Sequence, residues 1–455
     1  MWYAAIQRER SGEAAEVDAF RRVSAMAGSW RAQLWLARSA LKRRDTAAAL
    51  AFYRGVLDLL KAVPADAFMQ ITGDLCNAGL VKEATDLCSS RFVAEQHGLP
   101  AGNNLVQAYV AQKDAANARR ILEQLYAMPR PDWREHLLKL EHAVVQLDQG
   151  FGPVPEARAM QVKMLVLDRP IWARDGGAFS RLLPSKREDA PRIAFFAGSA
   201  RSPDSEATQV PVSKPSDVVG RVTRSVPMFL AEQIHLRTEA RTTFLLPWMA
   251  SGGFVLAAQP WNLEVLGTLD PKPDFVVMAH FEATQEPWQA HWSVTRVIDE
   301  SVTASWTQVI RPEDAATTLG EAVDRMLREL QPHVDVASAS PPAWLAPPSG
   351  VQIGAYASGL EQALAVSCAS EVPLNRRFLY GERSILDFLL DLSLRAPANA
   401  PARLLFLATI ARESRLRAAI AKEYRSRVDR LQREHPLPPP ADELAREVLG
   451  RIVWE

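Results

Sequence analysis

Three residues in the middle of the chain, His280, Glu282 and His291, are of types that metal chemistry uses. His280 and Glu282 in AHFEA form an H-x-E pair, which in zinc-dependent hydrolytic deamination supplies a metal ligand and a proton-transferring carboxylate. That chemistry also needs a later cysteine pair, and no cysteine lies between Cys88 and Cys368. His291 has no second ligand at metal spacing. The sequence therefore predicts no metal and no cofactor, with His280 and Glu282 on the solvent side of a half-buried strand.

Nucleophilic catalysis is the second chemistry that these residues could perform. Ser199 in FFAGSARSPDS follows a strand-like run, where nucleophile elbows and phosphate loops occur. The elbow pattern G-x-S-x-G, the phosphate loop G-x-x-x-x-G-K-[ST] and the dinucleotide pattern G-x-G-x-x-G are all missing from this chain. Catalytic triads are spatial, so an enzyme stays open as the alternative. The missing local signatures favour a noncatalytic protein.

Composition narrows the class of partner. The 455 residues include 53 lysines and arginines against 53 aspartates and glutamates, and this balance removes the electrostatic pull of sequence-independent nucleic-acid binding. Arginines are frequent from Arg395 to Arg433, but acidic residues between them favour a solvated mixed-charge face. A weaker hypothesis keeps these arginines as a nucleic-acid surface. No nucleic-acid partner is predicted.

Cysteine use and hydropathy bear on location. Three cysteines in so long a chain argue against a disulfide framework and indicate a reducing compartment. The first twenty residues are charged early and lack the apolar core of a signal peptide. No run approaches the roughly 18 apolar residues of a membrane span. If residue 1 is the natural start, we expect a cytoplasmic protein of bacterial type.

The first 150 residues carry a repeated helical pattern. Segments starting at Leu34, Ile71 and Asn104 each read as an apolar helix, a polar turn and a second helix. Small residues of the second helices are 35 and 34 positions apart, and each is followed four residues later by a larger side chain. These pairs are Ala49 with Tyr53, Ala84 with Cys88, and Ala118 with Leu122. The pattern resembles the tetratricopeptide repeat, and the alternative is a generic helical bundle.

The resemblance implies stacked helix pairs whose inner helices present side chains to a protein or peptide. Amide and cationic side chains on those helices, facing away from the small-residue seam, suit a carboxylate or a peptide backbone. The alternative interpretation is ordinary surface polarity. The predicted partner-binding residues are Arg38, Lys42, Asn77, Asn104, Gln107 and Lys113.

From Pro191 the pattern changes to strands mixed with helices. It resembles the amino-terminal domain of TolB and its CsgG-like relatives in three strands, predicted at Pro273–Phe281, Trp292–Asp299 and Val302–Val309. Ile298 lies at one of the recognisable places of that pattern, but the turn ESVTAS lacks the usual glycine. The resemblance implies an α/β module for protein contacts that carries no catalytic residues.

Five tryptophans fall within about sixty residues of this region: Trp248, Trp261, Trp288, Trp292 and Trp306. A core aromatic pair on a helix-covered sheet is one interpretation, and a ligand-stacking platform or interface anchor is the other. Trp261, between a proline and an asparagine, is the one most expected to be exposed. We therefore predict Trp261, His280 and His291 as possible ligand or interface residues.

The predicted fold class is multidomain, with amino-terminal helical repeats, a central α/β domain and a carboxy-terminal helical domain. The predicted segments are repeats at 1–150, a connector at 151–190, the α/β domain at 191–330, a linker at 331–350 and the helical domain at 351–455. The predicted function is a noncatalytic interaction scaffold. The alternative is a small-ligand sensor or enzyme with a pocket in the tryptophan-rich domain.

Overall fold

In the computed structural model the predicted succession of helices, a central sheet and further helices is confirmed. The chain divides into two units, Met1–Pro155 and Glu156–Glu455. None of the helices in the described parts of the chain combines the length and apolar character needed to cross a membrane. The described residues are 2–26, 28–60, 62–128, 130–148, 162–202, 218–249, 253–263, 269–311, 314–335, 342–346, 348, 350, 352–370, 381–452 and 454.

The first unit is built from helical hairpins. The pairs α2 with α3, α4 with α5, and α6 with α7 pack together, and the first helices of successive pairs also touch. Helix α8 packs against α7 and α6, and α1, which is interrupted at Gly12, packs against α2. The bounds are α1 Trp2–Ser24, α2 Trp30–Lys42, α3 Thr46–Leu59, α4 Ala65–Asn77, α5 Val81–Cys88, α6 Ala94–Ala111, α7 Ala115–Tyr126 and α8 Arg134–Asp148.

The turns within the three hairpins have the same backbone conformation. Arg44, Gly79 and Lys113 adopt left-handed conformations with φ of 60°, 75° and 59°, at the same offsets of 35 and 34 as the small residues. In each turn the amide of the next residue donates to a carbonyl five residues back at 2.9 Å, which closes the end of the first helix. Asp45 and Asp114 then cap the following helix. The periodicity of the sequence is therefore a periodicity of the backbone.

Packing between the helices follows the predicted seam. Ala49, Ala84 and Ala118 are fully buried, and so are the larger side chains one turn later. A methyl group at these positions lets paired helices approach closely, while Tyr53 and Leu122 fill the space between pairs. Geometry and burial thus agree with stacked hairpins, and the specific repeat family stays a prediction.

The second unit contains an eight-stranded mixed sheet. Its strand order is β1-β4-β2-β6-β7-β8, with β3 paired to β6 and β5 paired to β4. The central strand β2 runs parallel to β4 and β6, and the pairs at both edges are antiparallel. The bounds are β1 Val162–Leu167, β2 Arg192–Phe196, β3 Ala200–Arg201, β4 Arg241–Met249, β5 Gly253–Phe254, β6 Phe275–Glu282, β7 Trp288–Arg296 and β8 Val302–Ile310.

Seven α-helices accompany the sheet in the described part of this unit. Helix α9 lies on the three central strands, α10 contacts β8, and α11 covers α9. Sheet and helices, including those after residue 350, share one hydrophobic core. The bounds are α9 Val218–Arg237, α10 Ala315–Leu330, α11 Gln352–Ser370, α12 Glu382–Arg395, α13 Ala400–Leu416, α14 Ala418–Glu434 and α15 Ala441–Gly450.

Helix α9 explains why the carboxy-terminal helices join the sheet. The sequence predicts a single apolar face for it, but nearly the whole helix is buried, including Arg224, Glu232 and His235. A helix buried on all sides needs cover on all sides, with the sheet below and α11 above. The structure therefore places the predicted α/β and helical segments in one unit. The expected connector also contributes the edge strand β1 to this unit.

The hairpin formed by β7 and β8, which carries Trp292 and Trp306, differs slightly from its predicted bounds. Its first strand ends at Arg296, so Ile298 lies in the turn and is 90% exposed, where an alternating strand face was expected. Trp292 and Trp306 are direct cross-strand partners with ring centroids 6.0 Å apart and nearly parallel planes. Trp292 belongs to the helix-covered core, and half-buried Trp306 packs against it. The pair is therefore a core contact, as the simpler interpretation held.

Candidate functional site

The first helices of the three hairpins expose a row of polar side chains. At the offsets of 35 and 34, Arg38 and Gln107 occupy equivalent positions, and Lys42 and Asn77 are equivalent one turn further along. All four are exposed. Four of the six predicted partner-binding residues thus lie on the outward side of α2, α4 and α6. We call this surface the first-helix face.

Arg38 is engaged within this face. Its Nε and Nη2 donate to Asp74 Oδ1 at 3.0 and 2.8 Å, and Asp74 Oδ2 accepts from the Tyr53 hydroxyl at 3.1 Å. The hydrogen bond to Asp74 raises the pKa of Arg38, and burial is the main cause that raises the pKa of Tyr53. The cluster ties α2 and α3 to α4. Arg38 therefore positions neighbouring hairpins as well as facing solvent.

Asn104 has a similar role between the next two hairpins. Its Nδ2 donates to Thr72 Oγ1 at 3.1 Å and to the Met69 carbonyl at 3.4 Å. The backbone carbonyl of Asn104 accepts from Cys76 Sγ at 3.6 Å. Its amide lies beside Gly73, where an added Cβ would be 3.4 Å from Nδ2. Asn104, which the sequence suggests as a clamp for a partner, therefore uses its side-chain amide to hydrogen-bond α4.

Lys113 lies apart from the helix surface. It is the left-handed residue of the α6–α7 turn, equivalent to Arg44 and Gly79, and its side chain is exposed. The structure therefore brings Lys42, Asn77 and Gln107 together as exposed side chains on the first helices. Lys113 stands at the turn end of the third hairpin.

In the second unit, three residues singled out from the sequence meet at one end of the sheet. His280 Nδ1 lies 2.6 Å from Ser199 Oγ, and His280 Nε2 lies 3.6 Å from Glu282 Oε1. Ser199 Oγ donates to the Gln259 carbonyl at 3.0 Å, so the His280 Nδ1–H is left to donate to Ser199. Burial lowers the pKa of His280, which favours the neutral imidazole.

This Ser–His–Glu arrangement resembles a triad in composition and differs from one in access. Ser199 is 1% exposed, and its hydroxyl proton is directed to a carbonyl and away from the histidine. A nucleophile must be reached by substrate and must give its proton to the base. The cluster instead fastens the segment around Gln259 to β6. No group of three potential metal ligands occurs among the described residues.

The backbone before Ser199 is constrained. Gly198 has φ +82°, and an added Cβ would lie 2.7 Å from the Val255 carbonyl oxygen. Only glycine fits such a close approach in the left-handed region. The turn places Ser199 beyond the carboxyl end of β2, between the parallel strands β4 and β6, where open α/β sheets commonly bind ligands.

The two remaining predicted residues lie on the sheet face opposite the helices. Exposed His291 is the cross-strand partner of His280, and its Nδ1 lies 3.0 Å from Thr307 Oγ1. Trp261 is half-buried and packs on Phe196, with ring centroids 5.5 Å apart. Trp261, the one of the five tryptophans most expected to be exposed, is less buried than Trp248, Trp288 and Trp292, and it covers part of the second sheet face. An exposed aromatic platform is not formed by Trp261.

Sequence reasoning missed a buried network beneath α11. Glu232 on α9 accepts from the Tyr356 hydroxyl at 2.6 Å and from Trp172 Nε1 at 3.1 Å. Burial raises the pKa of Glu232 to about 7. The three residues are 60 and 124 positions apart, so no local pattern announces them.

Comparison with known proteins does not name a relative. No family model, no curated protein and no solved structure matches this chain.

Proposed function

We propose that this protein is a noncatalytic interaction scaffold that binds a protein or peptide across the first-helix face. The observation that carries the proposal is that two exposed positions, one turn apart, are each polar in two of the three stacked hairpins: Arg38 and Gln107 at the first, and Lys42 and Asn77 at the second. Polar side chains on successive first helices suit an extended peptide, whose carbonyl and carboxylate oxygens recur along its length. Lys42, Asn77 and Gln107 supply donors to such oxygens.

The first-helix face also offers an apolar contact and a rigid base. Met69 on α4 lies two turns before Asn77 and is 42% exposed. Methionine adapts to varied apolar side chains, so it suits a recognition surface. Arg38 and Asn104 bridge adjacent hairpins and hold the spacing of the row fixed. Less ordering entropy is lost when a partner binds a face that is already rigid.

A noncatalytic role is supported by the inaccessibility of Ser199 and by the hydrogen bonds of its cluster. The cytoplasmic location that we propose is supported by three free cysteines, Cys76, Cys88 and Cys368. The sensor or enzyme alternative in the tryptophan-rich sheet has less support, because Trp248, Trp288 and Trp292 fill the core.

Capture from lysate of the native cells tests the proposal. The full-length chain is compared with a variant carrying Lys42→Glu, Asn77→Ala and Gln107→Ala. These side chains are exposed, so folding should be unchanged. We expect a protein that is enriched by the wild-type chain to be lost with the triple variant.

The matched control carries Arg54→Ala, Lys82→Glu and Asp86→Ala, which are exposed on the second helices α3 and α5 and change the net charge equally. This control should retain the partner. If both variants lose the same protein, or both retain it, the first-helix face is not the binding surface. Circular dichroism of both variants shows that the helices are intact.

A further inference from the structure

The sheet of the second unit ends in strand β8, and one edge of this strand is open. β8 pairs with β7 in a register that places Trp306 opposite Trp292. Within the described residues, the backbone of β8 pairs with no second strand. In an antiparallel pair, every second residue directs its N–H and C=O away from the neighbouring strand. About four residues of β8 therefore present backbone donors and acceptors at this edge.

Helix α10 covers one face of β8 and leaves the other face to solvent. On the covered face, Gln308 Nε2 donates to the Thr318 carbonyl of α10 at 2.8 Å. The side chains that alternate to the opposite face, Ser305, Thr307 and Val309, are exposed. A further strand can therefore approach the edge along this open face.

The composition of β8 favours strand pairing. Its nine residues, VTASWTQVI, are rich in β-branched side chains and include no charged residue and no proline. Monomeric proteins commonly protect an edge strand with lysine, proline or a bulge. The strand at the opposite end of the sheet, β1, is shorter and carries Lys163. The register shift between β7 and β8 lies near the turn, at Val294 and Thr295, so residues 304–310 stay regular.

The two ends of β8 carry opposite charges. Glu300 precedes the strand and Arg311 follows it, and both side chains are exposed. Among the described residues, neither side chain has an ion-pair partner. When two β8 strands pair antiparallel, the beginning of one lies beside the end of the other. Glu300 of each copy then comes next to Arg311 of the other, so the edge is complementary to itself.

We propose that the β8 edge binds a second copy of this chain, which adds its own β8 antiparallel about a two-fold axis near Ser305. Such a pair forms about eight backbone hydrogen bonds and joins two sheets into one. Because β8 is uncharged, no like charges are placed opposite each other. The proposal does not rest on the first-helix face. A dimer carries two such faces, which raises avidity for a partner with repeated sites.

Sedimentation velocity of the full-length chain, from about 1 to about 200 µM, tests the proposal. One strand pair buries less area than a standard interface, so we expect a reversible dimer with a dissociation constant of about 1–100 µM. The sedimenting mass should rise toward that of two chains. It should rise no further, because a two-fold interface uses the same edge of both copies and is then closed.

A lysine at the edge locates the interface. Ser305→Lys places two like charges beside the two-fold axis and should weaken the dimer at least about five-fold. The matched control, Gln289→Lys, adds the same charge on the same open face, but on β7, which is paired on both sides. It should change the dissociation constant by less than about two-fold. Both positions are exposed, so folding should be retained, and circular dichroism checks this.

Exchanging the charges at the strand ends tests the antiparallel orientation. Glu300→Arg alone, or Arg311→Glu alone, replaces two attractive pairs by two repulsive ones and should weaken the dimer about three- to ten-fold. The double variant with both changes restores opposite charges across the axis. Its dissociation constant should return to within about two-fold of the wild-type value.

The outcomes separate the proposal from other forms of association. A dimer that is weakened by Ser305→Lys, unchanged by Gln289→Lys and restored in the double variant supports it. A chain that stays monomeric up to about 200 µM overturns it, even if the edge then binds a strand of another protein. A dimer that is unaffected by Ser305→Lys, or that the double variant fails to restore, also overturns it.

Discussion

Replacing Glu232 by glutamine should stabilise the second unit at alkaline pH and leave it nearly unchanged at acidic pH. The carboxyl is 3% exposed beneath α11, and its contacts are the Tyr356 hydroxyl and Trp172 Nε1. Desolvation, opposed by these two hydrogen bonds, raises the pKa of Glu232 from 4.5 to about 7. Glutamine keeps the shape: its oxygen accepts from Trp172, and its amide donates to the oxygen of Tyr356.

The sign follows from where the proton is held. Below pH 4.5 Glu232 is protonated in both states and adds no pH dependence. Between pH 4.5 and about 7 the unfolded chain has released the proton and the folded chain has kept it, so the free energy of unfolding falls as pH rises. Above about pH 7 the loss is complete. At about 1.4 kcal/mol per pH unit, the free energy of unfolding lost between pH 4.5 and about 7 amounts to about 3 kcal/mol.

Urea unfolding followed by tryptophan fluorescence, at about pH 5 and about pH 8, measures this effect in wild type and Glu232→Gln. The difference between the two proteins should grow by about 2–3 kcal/mol in favour of glutamine. His235, on the same helix, titrates in the opposite sense because burial lowers its pKa to about 3, but it is common to both proteins.

Glu321→Gln, at an exposed position of α10, is the matched control, and its difference from wild type should stay within about 0.5 kcal/mol at both pH values. A Glu232→Gln difference that is the same at both pH values, or that grows in favour of the wild type, would refute the argument that burial holds the proton on Glu232.

Three further predictions concern stability and use the same unfolding assay. Gly198→Ala should lower the free energy of unfolding by about 2–3 kcal/mol, because Gly198 has a left-handed φ and an added Cβ would meet the Val255 carbonyl. Gly320→Ala, in open space on α10, should raise the free energy of unfolding by about 0.5–1 kcal/mol. Equal effects of the two substitutions would contradict this reasoning. Arg224→Met should cost about 3–5 kcal/mol by leaving its buried partner Glu361 unpaired, and adding Glu361→Leu should recover most of the loss. Asn104→Ala should cost about 1 kcal/mol, and a shift of the second unit's transition instead of the first's would be inconsistent with its bonds to α4.

Local rules account for what was predictable in the first unit. Burial of Ala49, Ala84 and Ala118 follows from a period that the sequence displays, since residues four apart share a helix face. The turns at Arg44 and Lys113 were not predicted as left-handed, because arginine and lysine seldom adopt that conformation. They adopt it because each lies at the position equivalent to Gly79, in a turn that joins the same kind of helix pair.

Polar residues that serve the fold could not be separated from polar residues that face a partner. Arg38 and Asn104 read as clamps in the sequence, and their hydrogen bonds reach Asp74 and Thr72 on a neighbouring helix. Both partners lie more than 30 residues away. The spacing of residues along one helix predicts on which side of that helix a side chain lies. It does not predict which atom of the next helix the side chain contacts.

Local patterns were enough to predict the succession of helices, sheet and helices, the repeat offset and the pairing of the two strands that carry Trp292 and Trp306, because each depends on neighbours within a few turns or one strand pair. Tertiary structure alone decided that α9 is buried on all sides, that Glu232 lies between Trp172 and Tyr356, and that Arg174 and Arg412 line one cavity. Those contacts join residues 60 to more than 200 positions apart, and their desolvation and charge exist only once the segments have packed.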